Sequence, residues 1–329
     1  MTGRERVLTA IQHREPDRVP KGELLIDEGL FLRLARLLGL GDSTRADFAI
    51  RLRVLQALGI DLVCLPFPDE AQPRGESPSV ESSIELWAGE TDFFVFALVD
   101  GGFGAGVKRF GWMEFLAMPL RDPGTVASFL EEHATRAGEM IQRAVEKGAH
   151  GIMLADDIAY HQGTFWSPRL LQSLYFPFLA PLVAAARRCR VPLFFHADGD
   201  LRAVLPDLAG LGLDGLHSLE PTAGMDLAEI KKAYGSRLCL MGNLDLGLLA
   251  TPGATPRIAR EVRKMLRAGA PGGGYIFGSS GGLMEGLPEE NVVAMYRAAG
   301  KFSQYPRLTD GTPAAGKRPG GPPPLPPRR

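Results

Sequence analysis

Short runs of apolar, β-favouring residues recur along the chain, each followed by a longer stretch in which apolar positions return every three or four residues. The runs fall at Ile60–Leu65, Phe93–Val99, Gly151–Ala155, Pro192–Phe195, from Gly215 to Leu219, at Arg237–Met241 and at Gly272–Phe277, with a weaker one near Lys21–Ile26. Continuous apolar runs of this length describe strands buried on both faces. The intervening spacing predicts helices over 3–12, from Phe31 to Leu38, and over 46–58, 123–147, 167–189, 201–211, 228–234, 255–268 and 289–302. Ser167-Pro168 suits a helix start, because serine caps and proline fits the first turn.

Each of about eight strands is therefore followed by helical sequence, the order of a (β/α)8 TIM barrel, here one domain over residues 1–306. A doubly wound open sheet is the competing arrangement. The barrel is preferred because polar groups recur after the fourth to eighth strands, and closure gathers that many strand ends around one mouth. Residues Pro66–Pro78 form a proline- and charge-rich loop, and Asp100–Gly106 reads as a glycine-rich connection. The latter lacks the full Gly-x-Gly-x-x-Gly spacing and a following helix, which argues against a phosphate cradle. Residues 307–329 are rich in Pro, Gly and Arg, cannot form a packed core, and are expected to be a disordered tail.

The richest chemistry follows the run at Pro192. His196-Ala197-Asp198-Gly199-Asp200 places an imidazole and two carboxylates at a strand end. The competing reading makes His196 a core histidine and Asp198 the cap of a helix starting near Leu201. A closed barrel brings further candidates to the same funnel: Asp156, Asp157, His217, Glu220, Asn243, Asp245 and Ser280. His196, Asp198, Asp156 and Asp157 are the catalytic candidates, and the others line a substrate site. Such an acidic cup holds a divalent cation such as zinc, with His196, Asp198 and Glu220 as ligands, or keeps one carboxylate protonated as a general acid. Asp156 and Asp157 cannot both face inward if the strand continues through them. His217 has a structural alternative between strand and helices.

Composition narrows the partners. A net charge of −1 over 329 residues offers no dedicated nucleic-acid surface, which leaves small molecules and proteins. Cys64, Cys189 and Cys239 are widely spaced and form no Cys-x-x-Cys pair, in keeping with a reducing cytoplasm. Neither a secretion signal nor a membrane span is expected. Arg109, Trp112 and Met113 either cover the mouth as a lid or pack against a second subunit in a homodimer.

From about Arg4 to Tyr305 the sequence resembles the uroporphyrinogen decarboxylase superfamily, which includes corrinoid-dependent methyltransferases. The resemblance is carried by Asp156-Asp157 with Ser167-Pro168, His196-Ala197-Asp198-Gly199, Ala223-Gly224-Met225-Asp226, Met241-Gly242-Asn243-Leu244-Asp245 and Gly272-Gly273-Gly274-Tyr275. It implies a (β/α)8 barrel. Decarboxylases of the family carry Arg-Gln-Ala-Gly-Arg after the first strand, where this chain has Lys21-Gly22-Glu23-Leu24, and a late-loop histidine where it has Ser279-Ser280-Gly281-Gly282. The methyltransferase branch binds zinc through His-x-Cys and a later cysteine; His196 matches the first ligand, while Asp198 and Ser279 or Ser280 stand in the cysteine positions. The resemblance implies methyl transfer involving a corrinoid protein or a small methylated substrate, with His196 and Asp198 binding a metal or exchanging a proton. A uroporphyrinogen-type decarboxylase and a non-catalytic binding subunit for a corrinoid protein are the alternatives.

Overall fold

A computed structural model describes residues 1–67 and 80–305. The tail at 307–329 and most of the Pro66–Pro78 loop lie outside the described residues. In chain order the strands are β1 (Leu62–Pro66), β2 (Phe94–Asp100), β3 (Gly151–Ala155), the short pair β4 (Ala159–Tyr160) and β5 (Gly163–Thr164), β6 (Leu193–Ala197), β7 (Gly215–Ser218), β8 (Cys239–Leu244) and β9 (Tyr275–Ser279). The helices are α1 (Gly3–Ile11), α2 (Glu28–Leu37), α3 (Phe48–Leu58), α4 (Val80–Glu90), α5 (Gly102–Phe110), α6 (Trp112–Arg121) and α7 (Pro123–Glu146). After them α8 (Pro168–Leu170) runs through a π turn at Leu171–Tyr175 into α9 (Phe176–Cys189), and then come α10 (Leu205–Gly210), α11 (Leu227–Tyr234), α12 (Leu246–Ala250), α13 (Thr255–Gly269) and α14 (Glu289–Phe302).

Seven strands form one parallel sheet in the order β1-β2-β3-β6-β7-β8-β9, and β4 pairs with β5 as a separate hairpin. The order follows the chain, as successive βα units require. The sheet is curled, and alternate residues of each strand enter two different apolar clusters. Leu62, Phe94, Phe96, Met153, Phe194, Met241 and Ile276 meet on the concave side, while Val63, Val95, Ala97, Ile152, Leu154, Phe195, Leu240 and Phe277 join the helices on the convex side. This two-faced burial is what continuous apolar strands are for; each fully buried large side chain contributes about 2–3 kcal/mol.

Helix α1 closes the amino-terminal end. Its Val7 and Ile11 belong to the concave cluster, the Arg4 amide donates to Asp92 O before β2, and the Gly274 amide before β9 donates to Ala10 O. Beneath it lies a buried ionic knot. Asp61, 2% exposed, accepts from Arg6 Nη1 at 2.6 Å, from Arg18 Nη1 at 2.7 Å and Nη2 at 2.8 Å, and from the Lys21 amide at 2.9 Å.

The expected first strand near Lys21–Ile26 is not a regular strand. Its backbone lies between the sheet's two edges: the Gly22 amide donates to Phe277 O, the Phe277 amide to Pro20 O, and the Asp61 amide to Lys21 O. Only isolated bridges form, Lys21 with Phe277 and Ile26 with Leu283. The Lys21 amide is taken by the Asp61 carboxylate instead of a backbone carbonyl, so the ladder toward β1 does not propagate.

Two further expectations need correcting. The glycine-rich connection after Asp100 is helical from Gly102. The helix expected from Leu201 begins at Leu205, with Val204 and not Asp198 at its cap position. The run Pro168–Cys189 is long and apolar enough to cross a membrane by length and composition alone. In the structure it packs against α7 and buries Phe176, Leu179, Leu182, Val183, Ala185 and Ala186.

Candidate functional site

The carboxyl ends of the central strands carry the polar groups, and the strand pleat decides where each one points. Met153 faces the concave side, so Ala155 and Asp157 share its direction and Asp156 takes the opposite one. Asp156 is accordingly buried on the convex side. Its carboxylate accepts from the amides of Phe103 at 2.8 Å and Gly104 at 2.7 Å and from the Tyr175 hydroxyl. It thus caps the first turn of α5 from 53 positions away in sequence. Gly101 makes this possible, since a Cβ there would sit 2.2 Å from Asp156 Cγ. Burial pushes the Asp156 carboxyl up to about 7, against the hydrogen bonds that favour its ionised form.

Asp157 lies at the open rim, and its Oδ1 accepts from the Asp198 amide at 2.9 Å, joining the ends of β3 and β6. His196 Nε2 is 3.9 Å from that same oxygen. Together Asp157, His196 and Asp198 offer three ligand-type atoms all within 4.8 Å of one another. Behind them His217 is fully buried, and its Nδ1 lies 2.8 Å from His196 Nδ1. The two histidines stand opposite each other in the β6–β7 register, with ring centroids 4.8 Å apart. His217 therefore faces the concave side, not the layer between strands and helices. Burial lowers the pKa of both imidazoles, opposed at His196 by Asp198 and Asp157. Burial likewise raises Asp198, opposed by His196. Asp198 Oδ1 is buried without a hydrogen-bond partner, an arrangement costly for a carboxylate unless a ligand or ion completes it.

The surrounding residues shape this rim. Glu220 Oε2 accepts from the Gly199 amide at 2.9 Å and Oε1 from the Thr222 hydroxyl at 2.7 Å, so it braces the turn after Asp198. Gly199 has φ +90° and a Cβ there would meet the Tyr160 backbone at 2.6 Å, so the turn requires glycine. Asn243 is buried and donates from Nδ2 to Leu219 O at 2.6 Å, holding Leu219 in the left-handed region at φ +62°. Asp245 caps α12 through the Leu248 amide at 2.7 Å and stands apart from the cluster. Ser280 is buried and contributes its carbonyl to the Ser218 hydroxyl.

Trp112 and Met113 are exposed on α6, and the Trp112 ring meets Phe165 edge-on at 4.8 Å. Glu23 is absent from the candidate set. It is 4% exposed and accepts from Ser279 N at 3.0 Å, Ser279 Oγ at 2.5 Å and Tyr296 Oη at 2.6 Å. Burial raises its carboxyl to about 7. A lone carboxylate inside the apolar stretch Gly22 to Leu25 is the signal in the sequence that could have marked it. Glu23 also forms part of the wall of a cavity of about 680 Å³ beside β1, α2 and α3, whose lining includes Phe31, Arg51 and Trp87 but not the histidine cluster.

Residues 101–302 match the sequence profile of Uroporphyrinogen decarboxylase (URO-D). A uroporphyrinogen decarboxylase of Thermosynechococcus vestitus is 26% identical over 191 residues, covering 56% of this chain and 51% of that protein. One from Hordeum vulgare is 27% identical over 230 residues, covering 69% of this chain and 64% of that protein. The chain thus spans between half and two-thirds of these relatives' lengths. A methyltransferase from Methanosarcina mazei superposes with a TM-score of 0.72 over 92% of this chain and 99% of its own, at 19% identity, a likeness of fold.

Proposed function

The chain belongs to the uroporphyrinogen decarboxylase family, and on that premise we propose that it is a methyl-transfer enzyme with a divalent-cation site at Asp157, His196 and Asp198. The observation that carries the cation is the buried, unpartnered Asp198 Oδ1 beside His196 and Asp157. Two carboxylates and one imidazole fit a divalent ion, of which zinc is the first candidate, and form a harder set than thiolates. Once bound, such an ion supplies Lewis acidity toward a methyl-accepting nucleophile. The protein's own groups do the rest. His217 braces His196, Asp198 positions Asp157 through its amide, and Glu220 and Asn243 hold the turns that follow β6 and β7. We read the 20–26 segment as the eighth stave of the barrel, which keeps the mouth closed around these groups. Methyl transfer, with a corrinoid protein or a small methylated substrate as donor, draws support from the fold shared with the Methanosarcina mazei methyltransferase.

Decarboxylation of a porphyrinogen is the second reading, favoured by the names of the relatives. Here Asp157 is the carboxylate free to stabilise developing positive charge, since Asp156 is committed to α5. An acid-lined rim without the family's arginines is poorly suited to a polyanionic tetrapyrrole. To test the proposal, the full chain is equilibrated with Zn²⁺, dialysed and assayed for retained metal, then offered methylated corrinoid with a thiol, and separately uroporphyrinogen. The expected result is about one ion per chain, lost in Asp198→Asn, with demethylation of the corrinoid. Failure to retain zinc, or formation of coproporphyrinogen, overturns it.

A further inference from the structure

His217 is fully buried, and its Nδ1 lies against His196 Nδ1, the ring nitrogen of His196 opposite the Nε2 that faces Asp157. Two Nδ1 atoms at 2.8 Å share a single proton: two N–H groups would repel, and two lone pairs would leave no bond. Two arrangements satisfy the contact. In one, His196 donates from Nδ1 and its Nε2 presents a lone pair toward Asp157 and Asp198. In the other, His217 donates and His196 turns an Nε2–H to the rim. A cation binds a lone pair and not an N–H, and the hydrogen bond on the far nitrogen decides which is offered.

We propose that His217 is a positioning residue: by accepting the Nδ1 proton of His196 it fixes the Nε2 lone pair toward the two carboxylates and so sets the cation affinity of the cluster. The register gives this a structural basis. Positions 196 and 217 are directly paired on adjacent parallel strands, both facing the concave side, and the ladder they share sets the two rings side by side. This inference rests on the cation-site reading above.

The probe is Co²⁺, whose visible spectrum reports coordination, titrated into the full chain. His217→Phe keeps a buried ring but removes the acceptor, and is expected to weaken Co²⁺ binding roughly 10- to 100-fold. His217→Asn, whose side-chain oxygen can accept at the Nδ1 position, is expected to restore affinity to within about threefold of the parent. Circular dichroism confirms that each variant folds. Independently, ¹⁵N spectra of the metal-free parent are expected to show His196 Nε2 as the unprotonated, pyridine-type nitrogen. Parent protein that holds no Co²⁺ overturns the cation-site reading. Parent and His217→Phe that bind it equally, a His217→Asn no better than His217→Phe, or a protonated Nε2, overturn the role of His217 alone.

Discussion

Gly101→Ala isolates the coupling between the rim strand β3 and helix α5. The added methyl falls 2.2 Å from Cγ and 2.3 Å from Cβ and Oδ2 of Asp156, with no room on a fully buried side chain. If Asp156 stays, overpacking costs about 1–3 kcal/mol. If it swings away, the two amide bonds to Phe103 and Gly104 and the Tyr175 bond are lost at about 1 kcal/mol each, with first-turn amides left orphaned. The cheaper route sets the cost, so a destabilisation of about 1–3 kcal/mol is expected. Urea unfolding followed by tryptophan fluorescence suits the measurement, because the Trp166 ring lies 5.0 Å from the Phe103 ring on α5. Gly138→Ala is the control. It sits within α7 with open space around the new methyl, and is expected to stabilise by about 1 kcal/mol. In the double variant Gly101→Ala/Asp156→Gly, which removes Cβ, Cγ and Oδ2 together, the clash disappears, so its cost should fall well short of the summed single costs. A Gly101→Ala protein with the parent's unfolding midpoint would refute the reasoning.

Asp61→Ala leaves Arg6 and Arg18 without their shared buried acceptor, and is expected to cost about 3–5 kcal/mol in chemical denaturation; a loss below about 1 kcal/mol would show the knot to be peripheral. Glu23 titrates near 7 when folded and near 4.5 when unfolded. The folded state therefore holds the proton more tightly, and the stability this adds is complete below pH 4.5 and lost as pH rises through about 7. Glu23→Gln should flatten that part of the pH dependence by up to roughly 3 kcal/mol between pH 5 and 8, and an unchanged slope would mean that Glu23 is not the group titrating. Asn243→Ala, which frees Leu219 O, is expected to cost about 1–3 kcal/mol and to weaken Zn²⁺ retention if the turn bearing Glu220 supports the rim. Metal retention equal to the parent's would confine Asn243 to stability.

Much of the architecture was written in local pattern. The alternation of apolar runs with helical spacing placed α7 and α14 almost to the residue, because periods of 2 and 3.6 depend on near neighbours alone. The same pleat rule says that Asp156 and Asp157 cannot both face inward, but not which of them does. What local pattern did not contain was the partner of each group. Gly102–Phe110 is a helix because a carboxylate 53 positions away satisfies its first amides, and sequence spacing carries no trace of that cap. Lys21–Ile26 fell short of a strand because Asp61 claimed an amide. At the rim, the residues around His196 stood out by type, but the choice of Asp157 over Glu220 as its near neighbour, and His217 behind it, came from strand register. Register and capping are contacts between distant segments, and only the folded sheet brings those segments within reach of one another.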